Sequence, residues 1–206
     1  MQHSRSGTLD KAAFATATVS ATKVVVELGM GDGRLLEGLV KQLPSTENQK
    51  VLYIGIEKDR YQYSTAKSRF GLANAWLINA SFEDIIPLFP DQSVDRFLAI
   101  LPDPAYIDRK STGWENLYKA LHVKLKNRGS LQIVTEITND LFGPIEDSEY
   151  NDWVAWLGTA FESMGFRIAS RINGSPPEYS SRCLDQFRGD EERIRMVTLD
   201  LEKDSR

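Results

Sequence analysis

The stretch "VVVELGMGDGR", residues 24–34, is an apolar run that meets an acid and then three alternating glycines. Val24–Leu28 is apolar at nearly every position, as expected of a parallel strand buried on both faces. Gly29, Gly31 and Gly33 allow the backbone to turn tightly and to lie close to a ligand. The helix expected from Arg34 would present its first amides to the same place. A strand–helix turn that holds nothing would read the same way, so the neighbouring residues have to decide.

Outward from this unit, strand-like runs recur at Val51–Glu57, Ala75–Ala80, Arg96–Leu101, Ser130–Ile137, Phe166–Ile172 and Ile194–Leu201. Helical patterns lie between them at Arg34–Gln42, Tyr61–Phe70, Phe82–Ile86, Trp114–Leu125 and Asn151–Met164. The alternation predicts a doubly wound α/β domain with a mostly parallel sheet. The last two strands, joined by a loop containing "NGSPPEYSSR", predict an antiparallel hairpin at the sheet edge and seven strands in all. No internal repeat or low-complexity tract breaks the chain, which at 206 residues suits one buried domain. Residues 1–22 read as a leader segment that could fold over the cleft, and residues 23–206 as the domain.

The acids beside the glycines narrow the ligand. The spacing is G-x-G-x-G, and Glu27 sits within the end of the strand, whereas a pyrophosphate loop favours a wider spacing and no acid beside the phosphates. An acid here suits a cationic ligand such as the amino group of an amino-acid moiety. Glu57 ends the second strand, where a carboxylate can accept both hydroxyls of a ribose. A nicotinamide or flavin site is the competing reading.

Together "VELGMGDG" and "YIGIEKDR" resemble motifs I and II of class I S-adenosylmethionine-dependent methyltransferases. The resemblance implies a Rossmann-like fold and S-adenosyl-L-methionine as cofactor. It places the methionine end on Glu27, Gly29, Gly31 and Gly33, and the ribose on Glu57 with Lys58 beside it. Ser81 and Phe82 fall where that superfamily contacts adenine. Asp103 would border the reactive methyl group.

The fourth strand ends in "FLAILPDPAYIDRK", and ligands of open α/β sheets sit beyond the carboxyl ends of the strands. Asp103, between two prolines, is a preorganised carboxylate or else the cap of a rigid turn. The longer stretch "PDQSVDRFLAILPDPAYIDRK" resembles the tRNA (guanine-N7)-methyltransferase family, matched at Pro90-Asp91, Ser93, Pro102-Asp103-Pro104 and Arg109. "GIE", "VTE" and the C-terminal "PEYSSR…GDEERIRMVTLDL" fall in register with it. The resemblance implies an RNA substrate, with Asp103 catalytic and with Glu136, Glu178 and Tyr179 in register with its substrate side. Arg109 and Lys110, beside the P-D-P turn, and Tyr106 are the further candidates for contact with the substrate. The chain departs from the family at Ala105, Ile107, Lys110, Ala80, Glu136, Pro177 and Ser180, nearly all on the acceptor side. A different methyl acceptor (adenine N1 of rRNA or a small molecule) and a non-catalytic, cofactor-binding partner subunit therefore stand as alternatives.

Other residues carry smaller expectations. Tyr106 and Trp114 could stack on an exposed base, and Lys58, Arg60, Lys67 and Arg69 form a second basic group. Trp153 and Trp156 read as core, His122 as structural, and Cys183 as a buried or partly buried spectator. The net charge of −4 argues against avid, non-specific nucleic-acid binding. The lone cysteine excludes an internal disulfide and suits a reducing compartment. No apolar run reaches membrane-spanning length, and the expectation is a cytoplasmic monomer or homodimer without metal.

Overall fold

The computed structural model describes residues 9–43, 46, 49–70, 75–139 and 143–204. Residues 1–8 of the expected leader, His3 among them, lie outside the described residues. The described strands are β1 (Lys23–Leu28), β2 (Val51–Ile56), β3 (Ala75–Ile78), β4 (Val94–Ile100), β5 (Leu125–Ile137), β6 (Phe166–Asn173) and β7 (Arg195–Lys203). The helices are α1 (Lys11–Ser20), α2 (Arg34–Gln42), α3 (Arg60–Arg69), α4 (Phe82–Ile85), α5 (Glu115–Lys124), α6 (Asp147–Ser163) and α7 (Arg182–Arg188).

The strands form one seven-stranded sheet in the order β3-β2-β1-β4-β5-β7-β6. β1 to β5 run parallel, and β7 pairs antiparallel with both β5 and β6. The expected doubly wound sheet with an antiparallel C-terminal pair is therefore present. Because β1 is followed by β2 and β3 on one side and β4 lies on the other, the strand order reverses between β1 and β4. Their carboxyl ends open the crevice where such sheets bind ligands.

Successive β1 side chains point to opposite faces, so its continuous apolar run feeds two layers. Val24, Val26 and Leu28 join the larger core with Phe97, Ile133 and Phe161, while Val25 packs with Leu36, Tyr53 and Ala66 beneath α2 and α3. The segment before β1 adds to the larger layer. Asp10 caps α1 by accepting from the Ala12 and Ala13 amides at 3.0 and 3.1 Å, and Phe14 is wholly buried against Trp76 and Phe89. Truncating such a ring costs about 3–5 kcal/mol.

Besides α1, which falls within the expected leader segment, two elements differ from the sequence expectation. The link between the last two strands is not a bare loop: it contains α7, capped by Ser181, whose hydroxyl accepts from the Leu184 amide at 3.2 Å. Its seven residues bury only Leu184, too little for a periodicity to show. β5 begins at Leu125 rather than Ser130, directly after α5. Leu125 pairs with Val94 and Ser130 with Arg96, so "KNRG" bulges out opposite the single residue Asp95. Polar turn residues hid that first pairing.

Candidate functional site

The glycine loop folds back across the end of β2. Gly29, Gly31 and Gly33 all take positive φ, at 67°, 54° and 77°. The Met30 amide donates to the Ile56 carbonyl at 3.0 Å, and the Gly31 amide donates to Glu57 Oε2 at 2.9 Å. The other Glu57 oxygen accepts from the Asp59 amide at 2.7 Å. Glu57 is thus a buried brace between two strand ends, with lone pairs left for further donors. A Cβ at Gly33 would lie 2.9 Å from Ala66 Cβ, so the loop and α3 meet only because this residue is glycine.

Glu27 is only 3 % exposed, and its Oε2 has no hydrogen-bond partner among the described residues. Burial pushes its carboxyl well above the usual carboxylate range, the charges of Asp32 and Glu57 add to this, and the Leu36 amide opposes it. Asp32 itself is held by Arg34 at 2.8 Å. A buried acid lacking a full set of partners is costly, and a cation brought to this point would relieve the cost. The residues therefore fit a ligand with a cationic amino group and a ribose.

Beside the loop opens a cavity of about 180 Å³, walled by Gly29, Glu57 and Lys58 on one side and by Phe82, Asp103 and Tyr106 on the other. The Phe82 and Tyr106 rings lie 4.9 Å apart and give the far wall an apolar face. Of the other expected site residues, Glu27, Gly31, Gly33, Glu136 and Ser81 do not line this cavity. The Ser81 hydroxyl caps α4, accepting from the Glu83 amide at 3.2 Å and bonding the Glu83 carboxylate. The other Glu83 oxygen accepts from the Tyr106 hydroxyl, tying α4 to the P-D-P turn. Burial and the Glu83 contact push the Tyr106 phenol up to about 12.

At the end of β4, Leu101 takes the left-handed conformation, with φ 50°, while its amide donates to the Val134 carbonyl at 2.8 Å. This non-glycine reversal, costing about 1–3 kcal/mol, turns Pro102-Asp103-Pro104 over the cavity. The Asp103 carboxylate accepts from the Ala105 amide at 3.0 Å, so the residue both caps its turn and faces the cavity. Glu136, at the end of β5, has one buried oxygen without a partner among the described residues. Burial raises its carboxyl to about 7, partly offset by a backbone hydrogen bond, and the charge of Asp103 adds to the rise.

Several expected contacts lie elsewhere. Trp114 is buried against Tyr118, Trp156 and Phe161, so it packs the core and is not open to a base. Tyr179 is buried too: its hydroxyl bonds Gln132 and accepts from Arg96 at 3.2 Å, which anchors the C-terminal segment instead of presenting the ring to a ligand. Glu178 beside it is exposed. Arg109 and Lys110 are exposed, and the Arg109 guanidinium lies 6.0 Å from the centre of the Trp156 ring. Cys183 is exposed rather than buried, because α7 turns only Leu184 inward.

Three residues with a part in the site gave no signal in the sequence. Glu83 links two walls, and Asn79 donates to the Glu57 carbonyl at 2.8 Å, tying the ends of β2 and β3 together. Tyr118 lines the cavity fully buried, with a hydroxyl that has no partner among the described residues. An aromatic on an apolar helix face reads as core, and only the fold brings it to the cavity. Among the described residues no cluster could hold a metal ion, and no helix is long and apolar enough to cross a membrane.

No family model matches the chain. Among curated proteins it is 27% identical over 170 residues to a tRNA (guanine-N(7)-)-methyltransferase of Chlorobium phaeobacteroides, covering 79% of this chain and 73% of that one. A tRNA (guanine-N(7)-)-methyltransferase of Wolbachia pipientis is 26% identical over 172 residues, covering 82% and 72%. Among solved structures, the 16S rRNA methyltransferase KamB superposes with a TM-score of 0.71 at 16% identity, over 97% of this chain and 96% of that one. That likeness is one of fold. The chain therefore has the Rossmann-like fold of the class I methyltransferases, and its curated relatives are tRNA (guanine-N7)-methyltransferases.

Proposed function

We propose that the chain is an S-adenosylmethionine-dependent methyltransferase acting on RNA, with guanine N7 of tRNA as the acceptor. The observation that carries this reading is the buried, partner-short Glu27 beneath a glycine loop that opens on the same cavity as Asp103. The names of the curated relatives supply the acceptor.

When bound, S-adenosylmethionine would supply an electrophilic methyl group on a sulfonium centre. Glu27 would hold its amino group, and the positive charge would bring the Glu27 carboxyl back down. Glu57, already fixed by two amides, would accept from the ribose hydroxyls. Phe82 would cover the adenine ring, with Lys58 and Gly29 closing the near wall. Ser81 would act through Glu83 and the shape of α4.

Guanine N7 carries a free lone pair and needs no general base, so the protein's task is alignment and exclusion of water. The two prolines around Asp103 fix its carboxylate at the edge of the cavity. Asp103 and Glu136 would together offset the positive charge that the ring gains on methylation. Arg109 and Lys110, exposed next to the turn, would meet the RNA backbone, with Tyr106 against the base and Glu178 at the rim.

The test is transfer of label from S-adenosylmethionine to unfractionated tRNA, to rRNA and to a metabolite extract, followed by nucleoside mass spectrometry. Label in 7-methylguanosine of tRNA is the expected result. Label confined to rRNA adenine or to small molecules would overturn the acceptor, and cofactor binding without any transfer would overturn the enzyme.

A further inference from the structure

Five of the six exposed residues of α3 fall on one stripe, Arg60, Tyr61, Ser64, Lys67 and Ser68, at the spacing of a single helix face, with Arg69 at the C-terminal end outside it. The stripe carries no carboxylate. Asp59, just before it, accepts from the Gln62 amide at 2.8 Å and so serves as the helix cap. With Lys58 and Arg69 at its ends, residues 58–69 hold four cations against that one acid, on a chain whose net charge is −4. An ordinary solvated helix face mixes signs so that i,i+4 pairs support it. Like charges give α3 no such ion pairs, and among the described residues the one i,i+4 contact of its side-chain cations is Lys67 Nζ, 5.9 Å from the centre of the Tyr63 ring.

Tyr61 is the second sign. It is 75 % exposed, the highest value among the exposed large hydrophobic side chains, and no ring or cation among the described residues covers it. On its opposite side α3 is anchored, with Ala66 wholly buried against the glycine loop at Gly33. The stripe is also continuous with the site. Lys58 lines the cavity, α3 begins two residues later, and the helix then runs about 15 Å away from the cavity mouth. A rigid, cationic ridge with one bare aromatic ring has the chemistry of a single-stranded nucleic-acid platform: cations track the phosphates and the ring stacks on a base.

We infer that the solvent face of α3 carries the RNA strand flanking the methylated base, with Tyr61 stacked on a neighbouring base and Arg60 and Lys67 on its phosphates. This rests on the RNA reading proposed above and adds a surface to it.

The test is binding of unfractionated tRNA by mobility shift across a salt series, run beside the transfer assay. Tyr61→Ala is expected to weaken binding fivefold or more, whereas Tyr61→Phe keeps the ring and stays within about twofold. The double variant Arg60→Ala/Lys67→Ala should flatten the slope of log K against log salt by about 1.4, two single-strand phosphate contacts' worth. S-adenosylmethionine affinity should be unchanged in all three, which confirms folding. Wild-type binding and salt slope in both Tyr61→Ala and the double variant would overturn the inference, as would a wild-type chain that binds no tRNA. The two failures are distinguishable. If tRNA is bound but never methylated and the variants still bind weakly, the methyl-transfer reading falls and the surface stands. If tRNA is methylated with the same KM in every variant, the surface falls and the enzyme stands.

Discussion

On the β1–β2 side of the cavity, Glu57 is braced by two backbone amides and Asp32 by Arg34, leaving one oxygen of Glu27 without a partner. On the β4–β5 side, Asp103 is exposed and capped on its own turn, Arg109 and Lys110 extend outward, and Glu136 is left with an unpaired oxygen. The first wall is built before anything binds, because its backbone amides already hold its carboxylates in place. The second is a turn fixed by prolines, a strained leucine and the Tyr106–Glu83 link, with Asp103, Arg109 and Lys110 exposed and only Glu136 drawn inward. A preorganised wall suits a small ligand of constant shape, whereas an open one suits a larger partner that brings its own surface. The Asp103 wall is also where the sequence leaves the family pattern it resembles.

Substitutions can break this contrast, and the largest effect is expected within the finished wall. Gly33→Ala would force a left-handed alanine against Ala66 and should cost about 2–4 kcal/mol in urea unfolding. A cost below about 1 kcal/mol would mean that the loop is not rigidly docked on α3. Next, Glu27→Gln should weaken S-adenosylmethionine binding tenfold or more by calorimetry. It should leave the ligand-free chain as stable or more so, since it removes a carboxyl whose ionisation burial and two nearby acids disfavour. Equal affinity in the variant would remove Glu27 from the cofactor.

Glu136 sharpens the other side. Its carboxyl rises from the usual 4.5 to about 7 in the folded chain. Between those values the folded state keeps a proton that the unfolded state has lost, so its contribution to stability falls as pH rises through that window and is level above it. Glu27 works in the same direction, so Glu136→Gln should reduce the slope of melting temperature against pH without abolishing it. If the Glu136 anion offsets charge on the acceptor, transfer should increase as pH rises through about 7, and the Gln variant should lose that step. The smallest effect is expected for Tyr118→Phe, which removes a buried hydroxyl with no partner. Stability should stay within about 1 kcal/mol of wild type or rise, and a larger loss would reveal a hidden partner for that hydroxyl.

Much of the glycine-loop wall was legible in the chain because its parts are local. Glycine at three alternating positions, an acid two residues before the first and another closing the next strand are fixed by backbone rules acting within a few residues. The P-D-P turn was legible for the same reason, since proline sets its own φ. Trp114, Tyr179 and Cys183 were misread because their exposure depends on what α6, β5 and α7 bring against them from far along the sequence. Glu83, Asn79 and Tyr118 were invisible for the same reason. By itself, then, the sequence determined the α/β alternation, the glycine loop with its two acids and the position of the P-D-P turn, all through short-range backbone geometry and periodicity. Only the tertiary structure decided which oxygens remain unpaired, which aromatics face solvent and that α3 offers a bare cationic face beside the cavity. Burial and pairing are properties of neighbours in space, and the chain order does not carry them.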